Sequence, residues 1–248
     1  YGVVMKSELV QAVFEGGKTA HESIKGLLQT SAGDDVKVIQ EALSLAAVEI
    51  RLPSGASEDE RNKINIQQQY QLAIVYEFLR HLVERPSLSK SFAESGGLTD
   101  VFQRVALSGL NYSCKDILNF SKTEETGLWR AEISKPEGVT KAFSQLLESQ
   151  IFFSTNPIDI FFDAVKGDEM LSVALSQSLP NAIRYSSHKM QTLVNVLDRA
   201  ASNDYMRKTL ADSGFLNDIY LYCKNHSALL SNRAGFIVSQ IPEWQCAV

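Results

Sequence analysis

Residues 70–105 lie over residues 188–223 without a gap, and this self-similarity constrains the chain more than any other feature. The overlay pairs Leu79 with Leu197, Lys90 with Lys208, Ala93 with Ala211, Ser95 with Ser213, Gly96 with Gly214, Leu98 with Leu216 and Asp100 with Asp218. Conservative pairs fill much of the rest: Glu94 with Asp212, Val101 with Ile219 and Phe102 with Tyr220. The offset, from 70 to 188, is 118 residues and close to three units of roughly 40, the length of a helical solenoid repeat. An intermediate copy is therefore expected. Residues 158–187 supply one, with a deletion: Ile160, Phe161 and Val165 as a helix, Lys166-Gly167-Asp168 as a break, then Leu171, Ala174 and Leu175.

The period of the apolar residues says what each copy is made of. They recur every three or four residues almost everywhere and no stretch alternates, so the chain reads all-α. Leu72, Val75, Tyr76, Leu79 and Val83 share one helical face, which is expected inside, while Tyr70, Glu77 and His81 fall opposite. Pro86 stops this helix and Gly96-Gly97 ends the short one after it. In the later copy Leu193, Val194, Leu197 and Ala201 form the stripe of a helix from about Ser187 to Ser202, and Gly214 closes the next. Two stretches break the pattern. Polar, turn-rich Pro53–Glu60 reads as an exposed loop, about 52–62. Residues 111–136, with Cys114, Ile117 and Trp129, lack a clean period and read as either a degenerate repeat or an irregular insertion.

Long helix, break, short helix ending in glycine, then an amphipathic helix: this order resembles the armadillo repeat. Ser91-Phe-Ala-Glu-Ser-Gly-Gly-Leu-Thr-Asp-Val-Phe102 and Thr209-Leu-Ala-Asp-Ser-Gly-Phe-Leu-Asn-Asp-Ile-Tyr220 are similar to its junction, with Glu137-Gly138-Val139-Thr140 as a third and residues 24–50 as a terminal pair. The resemblance covers most of the chain, on a short and degenerate junction. It implies a single right-handed α-solenoid domain over residues 1–248, with long helices lining a groove that holds extended partners. On that implication Tyr70, Glu77 and His81, with His188, Asn195 and Arg199 in the later copy, form a protein-binding stripe. Importin-like armadillo proteins grip a basic peptide with repeated Trp and Asn. This chain has only Trp129 and Trp244, and Arg199 stands where that Asn would be expected.

Composition removes several other functions. With 44% apolar and 21% charged residues the chain is an ordinary globular one. Its 24 basic and 29 acidic residues leave a net charge of −5, which disfavours nucleic acid and anionic lipid as partners. Cys114, Cys223 and Cys246 are odd in number and far apart, which fits free thiols and a cytoplasmic location, with the nucleus as the alternative. No apolar run reaches a membrane span, and the start at Tyr1 lacks both the regions of a signal peptide and an initiator methionine, as in a fragment. Gly16-Gly17-Lys18-Thr19 lacks the earlier glycine of a phosphate loop, because position 12 is Ala12. His21-Glu22 lacks the second histidine of a zinc helix, because position 25 is Lys25, and no His or Cys has metal-ligand spacing. No Gly-x-Ser-x-Gly elbow occurs. The expectation is a non-catalytic adaptor or scaffold without cofactor or metal, binding another protein or an extended peptide. An armadillo-type chaperone cofactor and a helical enzyme of unfamiliar family are the alternatives.

Overall fold

The computed structural model describes residues 2–48, 50, 52–143, 157–184, 190–226 and 228–245, and every regular element among them is helical. The chain divides into two compact units, Tyr1–Glu132 and Ile133–Val248. Among the described residues no helix is long and apolar enough to cross a membrane.

Unit 1 opens with α1 (Gly2–Glu15) and α2 (Gly17–Leu27), then a 3-10 turn at Ser31–Asp34. Helix α3 (Val36–Ala46) starts where the Asp35 carboxylate accepts the amides of Lys37 at 3.1 Å and Val38 at 3.2 Å, satisfying donors that a helix start leaves free. Helix α4 (Glu58–Val83) begins earlier than the sequence reading allowed. Ser57 accepts from the Glu60 amide and the Glu60 carboxylate accepts from the Ser57 amide, each at 3.2 Å. This reciprocal cap, followed by acids that suit the positive helix end, makes Glu58–Asn62 helix and confines the loop to the residues before Ser57.

The second half of α4 is the axis of the unit, packed against α2, α3, α5 (Pro86–Glu94) and α7 (Asn111–Thr123). Ile74, Val75, Phe78, Leu79 and Leu82 are buried there, on more than one face. The expected inner face was therefore rotated. Tyr76, placed inside by its spacing, is 40% exposed and lies 5.4 Å from Phe120, while Leu72 and Val83 are only half-buried. Helix α6 (Gly97–Leu107) precedes α7, and α8 (Leu128–Ile133) follows it, so residues 111–136 are largely helical. Their period was hidden because α7 turns Asn111, Ser113 and Ser121 inward beside Cys114, Ile117 and Leu118.

Unit 2 has a π turn at Pro136–Thr140, then α9 (Pro157–Val165), α10 (Glu169–Arg184), α11 (Met190–Ala201), α12 (Asp204–Asp212), α13 (Phe215–His226), α14 (Ala228–Ser239) and α15 (Pro242–Gln245). Phe143 meets Phe161 at 5.2 Å and Phe162 at 6.2 Å in its core. Gly167 makes the expected break with φ 83°. The Glu137–Thr140 junction is different in kind: Gly138 is not left-handed, and a Cβ there would meet the Ile133 carbonyl oxygen at 2.3 Å. Gly138 is required for close backbone approach, not for a corner.

One helix–corner–helix geometry occurs in both units, 118 residues apart. Val83 and Ala201 end the first helix, Pro86–Glu94 and Asp204–Asp212 are the short ones, and Gly97 and Phe215 start the next. The residue before each short helix is extended, Arg85 at φ −121° and Asn203 at φ −120°, and the corner glycines are left-handed, Gly96 at 80° and Gly214 at 71°. Each short helix is also held from the side by a buried tryptophan. Trp129 Nε1 donates to the Ser89 carbonyl at 3.3 Å, and Trp244 Nε1 to the Arg207 carbonyl at 2.8 Å. The acceptors again stand 118 residues apart, although the tryptophans stand 115 apart.

Candidate functional site

Of the residues of the expected binding stripe, Tyr70, Glu77 and His81 belong to unit 1 and Asn195 and Arg199 to unit 2. Tyr70 is half-buried on α4. Glu77, only 9% exposed, accepts from Arg80 Nη2 at 2.8 Å and lies 3.8 Å from Lys25 Nζ and 3.7 Å from His21 Nε2. His81 is 4% exposed, and its Nε2 lies 2.6 Å from the Gly33 carbonyl oxygen. Both were expected on a solvated face. They are covered because α2 and the 3-10 turn lie against that side of α4, an arrangement that one helix's periodicity does not encode. Asn195 and Arg199 are half-buried in unit 2, and Arg199 pairs with Asp159 at 2.7 Å and Asp163 at 3.5 Å across to α9. His188 lies outside the described residues.

Among the described residues, environment shifts four groups. The Glu77 hydrogen bond and charge hold the Arg80 guanidinium above its ordinary value. Burial, with the Arg85 charge adding, lowers the basicity of His81 against the raising effects of the Gly33 hydrogen bond, Asp34 and Glu84. Burial pushes the Cys114 thiol far up, helped by Asp116, so Cys114 is a poor nucleophile. Burial also pushes Asp116 up to about 6, opposed by Lys115. Among the described residues no three His, Cys, Asp or Glu side chains gather to hold a metal.

One feature with room for a ligand was not anticipated. Where α1 meets α2 a cleft of about 310 Å³ opens beside the end of α3 and the flank of α4. Gly16 and Gly17, with φ 66° and 80°, turn the chain there, and α1 precedes them where a phosphate loop requires a strand. Val13, Leu45, Ile50 and Ile74 line the cleft with Phe14, which is 73% exposed. Glu15 is the one charged residue lining it among the described residues. Gln71 shapes it: the side-chain amide donates to the Ala46 carbonyl at 2.6 Å and to that of Val48, holding open the end of α3. Ser108 Oγ donates to the Ala47 carbonyl at 2.7 Å, so two neighbours cap α3 from outside. Phe14 carried a sequence signal, a large apolar residue just before a Gly-Gly break. Gln71 carried none.

Comparison with known protein families, with curated proteins and with solved structures found no match to this chain.

Proposed function

We propose that this chain is a non-catalytic protein-binding module of armadillo-like helical repeats. Its unit 1 receives an extended segment of another protein at the α1–α2 cleft. The observation that carries the reading is a preformed cleft of about 310 Å³, walled in part by aliphatic side chains, with Phe14 73% exposed beside it. That volume falls at the lower end of the usual range for binding sites, and an exposed aromatic beside a concave apolar wall is the composition of an interface anchor. The segment that fits places an aliphatic side chain among Val13, Leu45, Ile50 and Ile74, with a basic neighbour near Glu15. Unit 1 holds 14 basic and 18 acidic residues, so most of the chain's net charge of −5 lies on this side and favours a basic neighbour. The recurrence of the helix–corner–helix geometry supports the repeat part of the reading.

The test is selection of a random peptide library on the immobilised chain, with Phe14→Ala and Glu15→Lys as counter-targets. Enriched peptides should share an aliphatic residue beside a basic one, bind Phe14→Ala at least tenfold more weakly, and lose affinity for Glu15→Lys with rising salt dependence removed. Enrichment that ignores both substitutions would place the binding surface elsewhere.

A further inference from the structure

We propose that His81 is an acid-sensitive pin: its neutral ring holds the Gly33 turn against α4, and protonation releases that turn while the rest of unit 1 stays folded. The proposal goes beyond the binding reading and does not rest on it.

The hydrogen bond sets the tautomer. A carbonyl oxygen can only accept, so the contact of 2.6 Å to Gly33 requires the proton on Nε2 and leaves a lone pair on Nδ1. Nδ1 is buried and has no hydrogen-bond partner among the described residues. A second proton would therefore bury an N–H without an acceptor, and a charge with it.

The charged groups facing the ring offer little relief. From α2 comes Lys25, with His21 beside Glu77, and from the turn comes Asp34. From α4 itself come Glu77, Arg80, Glu84 and Arg85. Glu77 is already engaged by Arg80 at 2.8 Å and Lys25 at 3.8 Å, and Arg80 also reaches Glu84 at 4.0 Å. Arg85 donates to the carbonyl of His81 at 3.0 Å and to Gln29 Oε1 at 3.3 Å, which fixes a cation next to the ring. The pocket these residues share is only about 30 Å³.

The turn is the element that yields. It is joined to α4 across 48 residues of sequence by this bond, and Gly33 packs so closely that a Cβ would meet the Leu28 carbonyl oxygen at 1.8 Å. The turn also packs on α1, α2 and α3 with Ala32 buried, so the bond to His81 is its hydrogen-bonded link to α4. Short segments of this kind open at lower free energy than the core around them. The sign follows from burial: the folded state disfavours the protonated ring, so stability present above about pH 6.5, the ordinary histidine value, is lost as pH falls below it.

Hydrogen exchange on the full chain between pH 7.5 and 5, corrected for intrinsic rates, tests this. Amide protection over residues 28–38 should fall by up to about tenfold per pH unit below pH 6.5, the limit for uptake of one proton, while Val75–Leu82 keeps its protection. His81→Gln places a non-titrating donor near the position of Nε2 and should abolish the fall, whereas His21→Gln should leave it. An acid response unchanged in His81→Gln, pH-independent protection in the parent, or equal loss along α4 would overturn the proposal. Should His81→Gln not fold, the ring nitrogen shifts of His81 in the parent decide. Opening that coincides with protonation supports the pin, and opening with the ring still neutral refutes it.

Discussion

Trp129 and Trp244 allow the two units to be compared by one substitution, because each unit contains one tryptophan and each indole donates to the carbonyl at the same place in a short helix. Tryptophan to phenylalanine keeps an aromatic ring in the core and removes the N–H with part of the ring system. The lost hydrogen bond contributes about 1 kcal/mol, and the vacated space adds to it because both side chains are fully buried. Ser89 and Arg207 lie inside their helices, so their carbonyls keep a main-chain partner, and no full desolvation penalty is added. Each variant should therefore lose about 1–3 kcal/mol, and the two losses should agree within about 1 kcal/mol. Urea unfolding followed by far-ultraviolet circular dichroism measures both. Fluorescence adds a control, since Trp129→Phe leaves Trp244 as the reporter of unit 2 and the reverse variant reports unit 1. A loss under about 0.5 kcal/mol in one variant beside about 3 kcal/mol in the other would refute the idea that the indoles serve as equivalent locks.

Glu77→Ala should cost no more than about 1 kcal/mol in a urea melt, because Arg80 and Lys25 are about half exposed and regain water when their partner is removed, and Glu84→Ala, on an exposed part of the same helix, should stay within about 0.5 kcal/mol. Leu79→Ala and Leu197→Ala, both at 0% exposure, should each cost about 2–5 kcal/mol. Gly96→Ala and Gly214→Ala meet nothing within 4 Å, so each should cost only the left-handed backbone strain, about 1–2 kcal/mol, by thermal melting. Asp116 is held protonated by burial, so its contribution is present at pH 4 and lost as pH rises through about 6. Asp116→Asn should remove that dependence and raise the melting temperature at pH 7.5, and an unchanged pH profile would count against the assignment.

The positions that declared themselves in the sequence are those whose structure is set by near neighbours in the chain. A three-to-four period specifies a helix whatever it packs on, so an all-helical chain was legible. Gly96, Gly167 and Gly214 were legible as corners because only glycine takes a left-handed conformation without strain. Ser57 and Glu60 carried the start of α4 as well, in a capping-box spacing overlooked beneath the polar composition around it.

What the tertiary structure alone decided is which faces are covered and what lies in the gaps. Glu77 and His81 stand on the polar side of an amphipathic helix, yet α2 and a turn 48 residues upstream of His81 enclose them, and no local pattern carries that distance. Tyr76 shares a face with Leu79 by angle and still meets solvent, because burial depends on which neighbours arrive and not on the helix alone. Cleft-lining Val13, Leu45, Gln71 and Ile74 come from three helices separated by long stretches of chain. A helix is a consequence of contacts four residues apart, whereas a cleft is what packing leaves unfilled, and only the fold determines where that is.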